Sequence, residues 1–168
     1  MFTIRPIDAA DDAELRGVVA FSVMSVWETI PELRVDLHEE HGFSFDEMER
    51  TYRRDAANRD HRILVALDAE GRLAGHTAFA LKKDHEDVVY GNCYARYVLP
   101  IHRRKGLASQ FLEHALGWFR DHGARYAVAH PHADNEPLVA LFERAGFRKV
   151  DRLDGRWPTW VLRRDLTP

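Results

Sequence analysis

Three consecutive segments restrict the fold more than any other feature of this chain. Val88–Leu99 is a long strand-like run that ends against Pro100. In Leu107–His122, the residues Leu107, Ala108, Phe111, Leu112, Ala115, Leu116 and Phe119 recur at spacings of three and four. That is the period of a helix with one apolar face, and Gly123 stops it. Ala124–Ala129 is a short apolar strand. Strand, helix and strand in immediate succession place the two strands parallel in one sheet, with a right-handed crossover. The fold class is therefore α/β.

The flanking segments extend the sheet. Phe2–Ile7 is an apolar run stopped by Pro6 and Asp8, a first strand. Asp11 and Asp12 open a helix, since negative charge suits a helix N-terminus. Its apolar positions Leu15, Val18, Val19, Ser22, Val23 and Val26 keep to one face, and Pro31 ends it. Ser44-Phe45-Asp46-Glu47 has the form of a capping box, with Phe43 and Met48 placed as a hydrophobic staple. A helix over Phe45–Asn58 follows, with Phe45, Met48, Tyr52 and Ala56 inward. Ile63–Leu67 is a buried strand, Asp68–Gly71 a turn, and Arg72–Lys82 its hairpin partner. Asp134 or Asn135 caps a helix with Leu138, Leu141, Phe142 and Ala145 inward, and Gly146 stands at its C′ position. Phe147–Arg152 and Trp157–Arg163 form a last strand pair around Asp154-Gly155. The expected order is β-α-α-β-β-β-α-β-α-β-β.

Composition narrows the function classes. The chain has 168 residues, the size of a single domain over 1–168. Hydrophobic residues make up 45% and charged residues 30%, which excludes disordered and collagen-like chains. With a formal charge of −3, no nucleic-acid partner is expected. Cys93 is the one cysteine, so neither an intrachain disulfide nor a multi-cysteine zinc site can form. No apolar stretch is long enough for an ordinary transmembrane helix, so no membrane association is expected. The opening MFTIRPIDAADD lacks the basic and apolar regions of a signal peptide, and the cytoplasm is the expected compartment.

The chemistry concentrates at Val98-Leu99-Pro100-Ile101-His102-Arg103-Arg104-Lys105-Gly106-Leu107-Ala108. A strand ends, a short basic loop follows, and a strong helix begins. Consecutive backbone N–H groups at such a junction can cradle an anion, and pyrophosphate is the natural ligand. Gly106 lets the backbone come close to it. The same loop reads equally well as a solvated turn. Neither the Walker A pattern nor GxGxxG is present, which argues against nucleotide hydrolysis and a Rossmann site.

Arg103-x-x-Gly106-x-Ala108, preceded by Val98-x-Pro100, resembles the acetyl-coenzyme-A signature of the N-acetyltransferase superfamily (GNAT). Asn135-Glu136-Pro137-Leu138-Val139-Ala140-Leu141-Phe142-Glu143-Arg144-Ala145-Gly146-Phe147 is similar to that family's Asn-(x)n-Tyr/Phe-x-x-x-Gly-Phe ending. The element order matches as well. The resemblance implies a mixed, mostly antiparallel sheet with flanking helices and splayed strands 4 and 5. It implies acetyl-coenzyme A as co-substrate, no metal, and an amine acceptor, taken here as a small molecule. Backbone groups of Val98 and Leu99 would pair with the pantetheine arm. Amides of Arg103, Arg104, Lys105, Gly106, Leu107, Ala108 and Ser109 would hold the pyrophosphate. Asn135 and Phe142 would line the far side of the arm, and the amine would enter near Val26–Tyr52.

The sequence departs from the family pattern at two positions. Phe142 stands where many members carry a tyrosine general acid, and Asn92 where some carry a glutamate base. Tyr94, on the same strand parity as Asn92, and the histidines His130 and His132 of His130-Pro131-His132 are the candidate replacements; Cys93 is read as core. Trp27 and Glu28, at the end of the first helix, are the candidate acceptor contacts. Seven acids between Glu32 and Glu49 could attract a cationic amine or form a solvated face. Trp157 and Trp160 in the last hairpin are compatible with a homodimer. A protein N-terminal or lysine acetyltransferase and a non-catalytic acyl-coenzyme-binding module remain the alternatives.

Overall fold

The computed structural model describes residues 1–34 and 44–166. The elements are β1 (Thr3–Pro6), α1 (Asp12–Thr29), α2 (Phe45–Ala57), β2 (His61–Leu67), β3 (Leu73–Lys83), β4 (Val89–Val98), α3 (Leu107–Asp121), β5 (Tyr126–Ala129), α4 (Glu136–Arg144), β6 (Arg148–Leu153) and β7 (Thr159–Asp165). Among the described residues, the short 3-10 turns Pro31–Arg34 and Pro100–His102 add to the expected order. The strands form one seven-stranded sheet in the order β1-β2-β3-β4-β5-β7-β6. β4 and β5 are parallel, with Gly91 opposite Ala127 and Cys93 opposite Ala129, as the crossover requires. β1 is antiparallel to β2, and β7 is antiparallel to both β5 and β6. The α/β class and the mostly antiparallel sheet are as expected.

Two compact units divide the chain: Met1–Ala78 with Ala95–Ala108, and Phe79–Tyr94 with Ser109–Pro168. In the first, Asp11 caps α1 by accepting from the backbone N–H groups of Ala13 and Glu14 at 2.9 and 3.1 Å. The helix stops at Thr29 because Ile30, ahead of Pro31, avoids the helical region. Leu15, Val18 and Val19 pack with Tyr52, Ile63, Val65 and Ala78 as a core. Each fully buried Leu, Val or Ile there contributes about 1.5–3 kcal/mol. Phe21 is buried too, stacked on His76 and tilted against Tyr97, so α1 buries a wider arc than its predicted stripe. The buried Glu14 carboxylate receives both Nη groups of Arg5 and the Asp8 amide, which together hold its pKa below the usual range.

Ser44 caps α2 by accepting from the Glu47 amide at 3.2 Å, half of the predicted capping box. Phe43 of the predicted staple lies outside the described residues, as do Asp36, Glu39 and Glu40 of the acidic run.

In the second unit, Phe79 packs against Trp118 and Phe119, and Gly91 lies directly beneath the Phe119 ring. Asn135 caps α4 by accepting from Leu138 at 3.3 Å. Gly146 follows the helix with φ +84°, the left-handed C′ residue the sequence predicts. Trp160 of β7 is flanked by Lys149 and Arg152 of the exposed edge strand β6. Among the described residues, no helix is long and apolar enough to cross a membrane.

Candidate active site

Where β4 ends, the chain is tied down before it turns. Leu99 donates to the Ala74 carbonyl at 2.9 Å, and its own carbonyl accepts from His102 at 2.8 Å. The Arg103 amide goes to Pro100 O at 3.2 Å. His102 Nε2 lies 3.6 Å from Asp68 Oδ2, which braces the 3-10 turn. Leu99 and the Arg103 amide, both expected to meet the coenzyme, are thus already hydrogen-bonded within the protein.

The cradle begins one residue later. Arg104 is left-handed with φ +63°, and Gly106 is left-handed with φ +81°. A left-handed non-glycine residue costs about 1–3 kcal/mol, a strain typical of functional loops. Residues of this conformation turn successive N–H groups into one concavity, an anion nest. Among the described residues, the amides of Arg104, Lys105 and Gly106 have no acceptor in the protein. The first amides of α3, from Leu107 and Ala108, lack intrahelical partners as at any helix start. Leu107 is buried and anchors the helix, while Arg104, Lys105, Gly106 and Ser109 are exposed. Unpaired donors, two exposed cations and the positive end of a helix dipole fit a diphosphate.

The Arg103 side chain does something else. Its Nε donates to Val98 O at 2.9 Å, and its Nη2 donates to Glu28 Oε2 at 2.7 Å. The Tyr97 hydroxyl donates to the other Glu28 oxygen, also at 2.7 Å, and the guanidinium carbon lies 5.3 Å from the Tyr97 ring centroid. Ser25 Oγ donates to Arg96 O at 3.4 Å. The last two turns of α1 are therefore pinned to the end of β4. Burial, then the Glu28 bond, pushes the Tyr97 hydroxyl up to about 12, so it stays a donor at neutral pH. Glu28 sits in the last turn of α1, where no basic residue of the helix accompanies it. A carboxylate at the negative end of a helix is electrostatically unfavourable, and here the Arg103 and Tyr97 donors offset that cost.

Trp27 is half-buried beside Glu28, and both share a unit with Val98–Ala108. Asn92, Tyr94, His132, Asn135 and Phe142 belong to the second unit. Asn92 is half-buried opposite Val128, Cys93 is half-buried, and Tyr94 is 38% exposed. His132 pairs with Thr159 in an isolated bridge, and its Nδ1 accepts the Asp134 amide at 3.2 Å. That bond assigns the neutral ring's proton to Nε2. His130 is held below its ordinary pKa by desolvation and then by Lys82. Phe142 is 3% exposed and meets Phe147 edge-on at 5.0 Å. Among the described residues, no three His, Cys, Asp or Glu side chains gather to hold a metal.

Residues 27–147 match the model of the Acetyltransferase (GNAT) family. The chain belongs to this family. The GNAT match contains both the Val98–Ala108 segment and the Asn135–Phe147 segment. Mycothiol acetyltransferase of Clavibacter sepedonicus is 34% identical over 86 residues, which is 51% of this chain and 27% of that protein. The match thus spans little more than a quarter of that relative. An N-acetyltransferase structure from Staphylococcus aureus Mu50 superposes with TM-score 0.75 at 20% identity, covering 99% of each chain. Arabidopsis thaliana NAA60 in complex with acetyl-CoA gives TM-score 0.72 at 15% identity, again over 99% of each. These structural likenesses establish the GNAT fold.

Sequence reasoning missed Tyr97, the left-handed Arg104 and the true partners of Arg103. Glu28 lies 69 residues from Tyr97 and 75 from Arg103, and no local pattern announces contacts at that separation.

Proposed function

We propose that this chain transfers an acetyl group from acetyl-coenzyme A to a primary amine of a small molecule, by direct attack in a ternary complex. The observation that carries this reading is the pair of left-handed residues Arg104 and Gly106, which leaves unpaired amides at the start of α3. Acetyl-coenzyme A supplies an activated acetyl thioester. The amides of Arg104 to Ala108 hold its diphosphate, and the Val98 carbonyl takes an amide of the pantetheine arm. Ser109, Asn135 and Phe142 keep the coenzyme contacts that the family pattern gives them.

Glu28 anchors the acceptor's ammonium, with Trp27 beside it. Tyr97 fixes one carboxylate oxygen by donating to it, and the ammonium takes the place of Arg103 at the other. The amine must lose a proton before or during attack. Asn92 offers no carboxylate on β4, so water carries the proton, with Tyr94 or His132 as relay. The leaving thiolate needs little help, since a thiol has pKa about 8.5. Positioning and backbone dipoles supply most of the catalysis.

The test is thiol release from acetyl-coenzyme A over a panel of small primary amines and peptides of graded length. A small amine accepted at rates independent of any peptide supports the proposal. Activity that grows with peptide length would make it a protein acetyltransferase. Coenzyme binding without release to any amine would make it an acyl-coenzyme-binding module, the reading that Asn92 and Phe142 favour. With an accepted amine of reference pKa about 10.4, kcat/KM climbs from pH about 6 to about 9. Tyr94→Phe slows single-turnover transfer while coenzyme affinity holds; wild-type rates would remove Tyr94 from the relay.

A further inference from the structure

Arg103 occupies two positions that the proposed reaction needs. Its Nε covers the Val98 carbonyl at 2.9 Å, the group assigned to the pantetheine arm. Its Nη2 covers Glu28 at 2.7 Å, the carboxylate assigned to the acceptor's ammonium. Neither partner is buried deeply: the Arg103 and Glu28 side chains are 40% and 39% exposed. An exposed pair of this kind is worth at most about fivefold in an equilibrium constant. A guanidinium on a diphosphate forms bidentate charge-assisted bonds to a doubly charged group, which are stronger. Arg103 also precedes, by a single residue, the left-handed turn where the free amides begin. A diphosphate bound there presents its charge beside the root of the Arg103 side chain.

We propose that Arg103 is a two-position latch that holds the place of the acceptor's cation until the acetyl donor arrives. With no coenzyme, the guanidinium occupies Val98 O and Glu28. Coenzyme binding draws it to the diphosphate, which bares Val98 O for the arm and Glu28 for the ammonium. The charge on Glu28 is compensated before and after the exchange, first by Arg103 and then by the amine. The latch opens the acceptor subsite only when the diphosphate is bound, and the subsite it opens carries the negative charge of Glu28. This inference rests on the coenzyme-binding reading given above.

The test is a double-mutant cycle read by calorimetric titration of coenzyme A into the wild type, Glu28→Gln, Arg103→Gln and the double variant. Glu28→Gln removes the competitor for Arg103 and tightens coenzyme binding about two- to fivefold. The same substitution gives no gain when Arg103 is already Gln. A gain of equal size in both backgrounds would make Glu28 a mere through-space repulsion, and no gain in either would remove the latch. Both side chains are exposed, so folding is retained and is checked by circular dichroism. A wild-type measurement stands beside the variants: the Arg103 Nε–H resonance, protected by Val98 O, shifts and exchanges faster as coenzyme A is added. A resonance unmoved at saturation would overturn the latch. In steady state with an accepted amine, Glu28→Gln raises KM for the amine more than it lowers kcat; a fall in kcat alone would contradict the anchoring role. If the wild type binds no coenzyme A, the coenzyme reading itself fails. If it binds and the cycle shows no coupling, only the latch fails.

Discussion

The Tyr52 hydroxyl lies 3.0 Å from Nε2 of His76, inside the first unit and out of contact with solvent. It also lies 2.6 Å from Ser22 Oγ, and Nδ1 of the imidazole is buried with no hydrogen-bond partner among the described residues. A bare buried lone pair costs less than a buried orphan N–H, so the ring proton sits on Nε2. Nε2–H then donates to Tyr52, Tyr52 to Ser22, and Ser22 to Val18 O at 3.2 Å. This directed chain ties α1 and α2 to β3.

That arrangement makes stability depend on pH. Burial, aided by Arg96, pushes His76 down from its ordinary value of 6.5 to about 3. Between those values the unfolded chain binds a proton that the folded chain rejects. The stability His76 contributes is thus complete above about pH 6.5 and is lost progressively as pH falls towards 3. The loss approaches about 1.4 kcal/mol per pH unit. Urea midpoints at pH about 7.5 and about 5.5 should fall more for the wild type than for His76→Gln. Equal falls would show that His76 titrates normally in the fold.

Gly91 is required by packing rather than by backbone conformation. A side chain at this position would enter the ring of Phe119, which is fully buried and packed against the buried Phe79. Gly91→Ala is expected to destabilise by about 1–3 kcal/mol through overpacking. Thermal unfolding reads this as a drop of several degrees. An unchanged midpoint would mean that the Phe119 ring moves freely.

Phe142 belongs to a core before it belongs to any ligand. With 3% exposure and an edge-on contact to Phe147, Phe142→Leu is expected to cost about 1–2 kcal/mol in stability. Its aromatic ring has no proton to give, so single-turnover acetyl transfer at saturating donor should keep its rate. A collapse of that rate in a folded variant would place Phe142 in the chemical step.

Much of this was legible in the sequence because the signals are local. Helix α3 announces itself by period, α4 by Asn135 and Gly146, and the β4–α3 junction by Pro100 and Gly106. The parallel β4–β5 pair follows from chain connectivity alone. What the sequence hid depends on distant residues or on backbone torsion. Nothing near Arg103 says that its guanidinium reaches back to Glu28. Nothing near Arg104 requires a left-handed arginine, since that strain is imposed by the turn on either side. The Ser22–Tyr52–His76 chain joins three elements whose inward positions look merely apolar or amphipathic one at a time. Gly91 reads as a weak strand residue until Phe119 is set above it.

The proposed reaction depends on the Arg104–Ala108 turn holding the diphosphate of coenzyme A. Calorimetric titration of coenzyme A into the wild type and Gly106→Glu tests it most directly. Gly106 has φ +81° and is exposed, so glutamate there brings both backbone strain and a negative charge into the anion nest. Saturable one-to-one binding to the wild type is expected, with at least tenfold weaker binding to a Gly106→Glu protein that remains folded by circular dichroism. Equal affinity in the two proteins would place the coenzyme elsewhere and contradict the account.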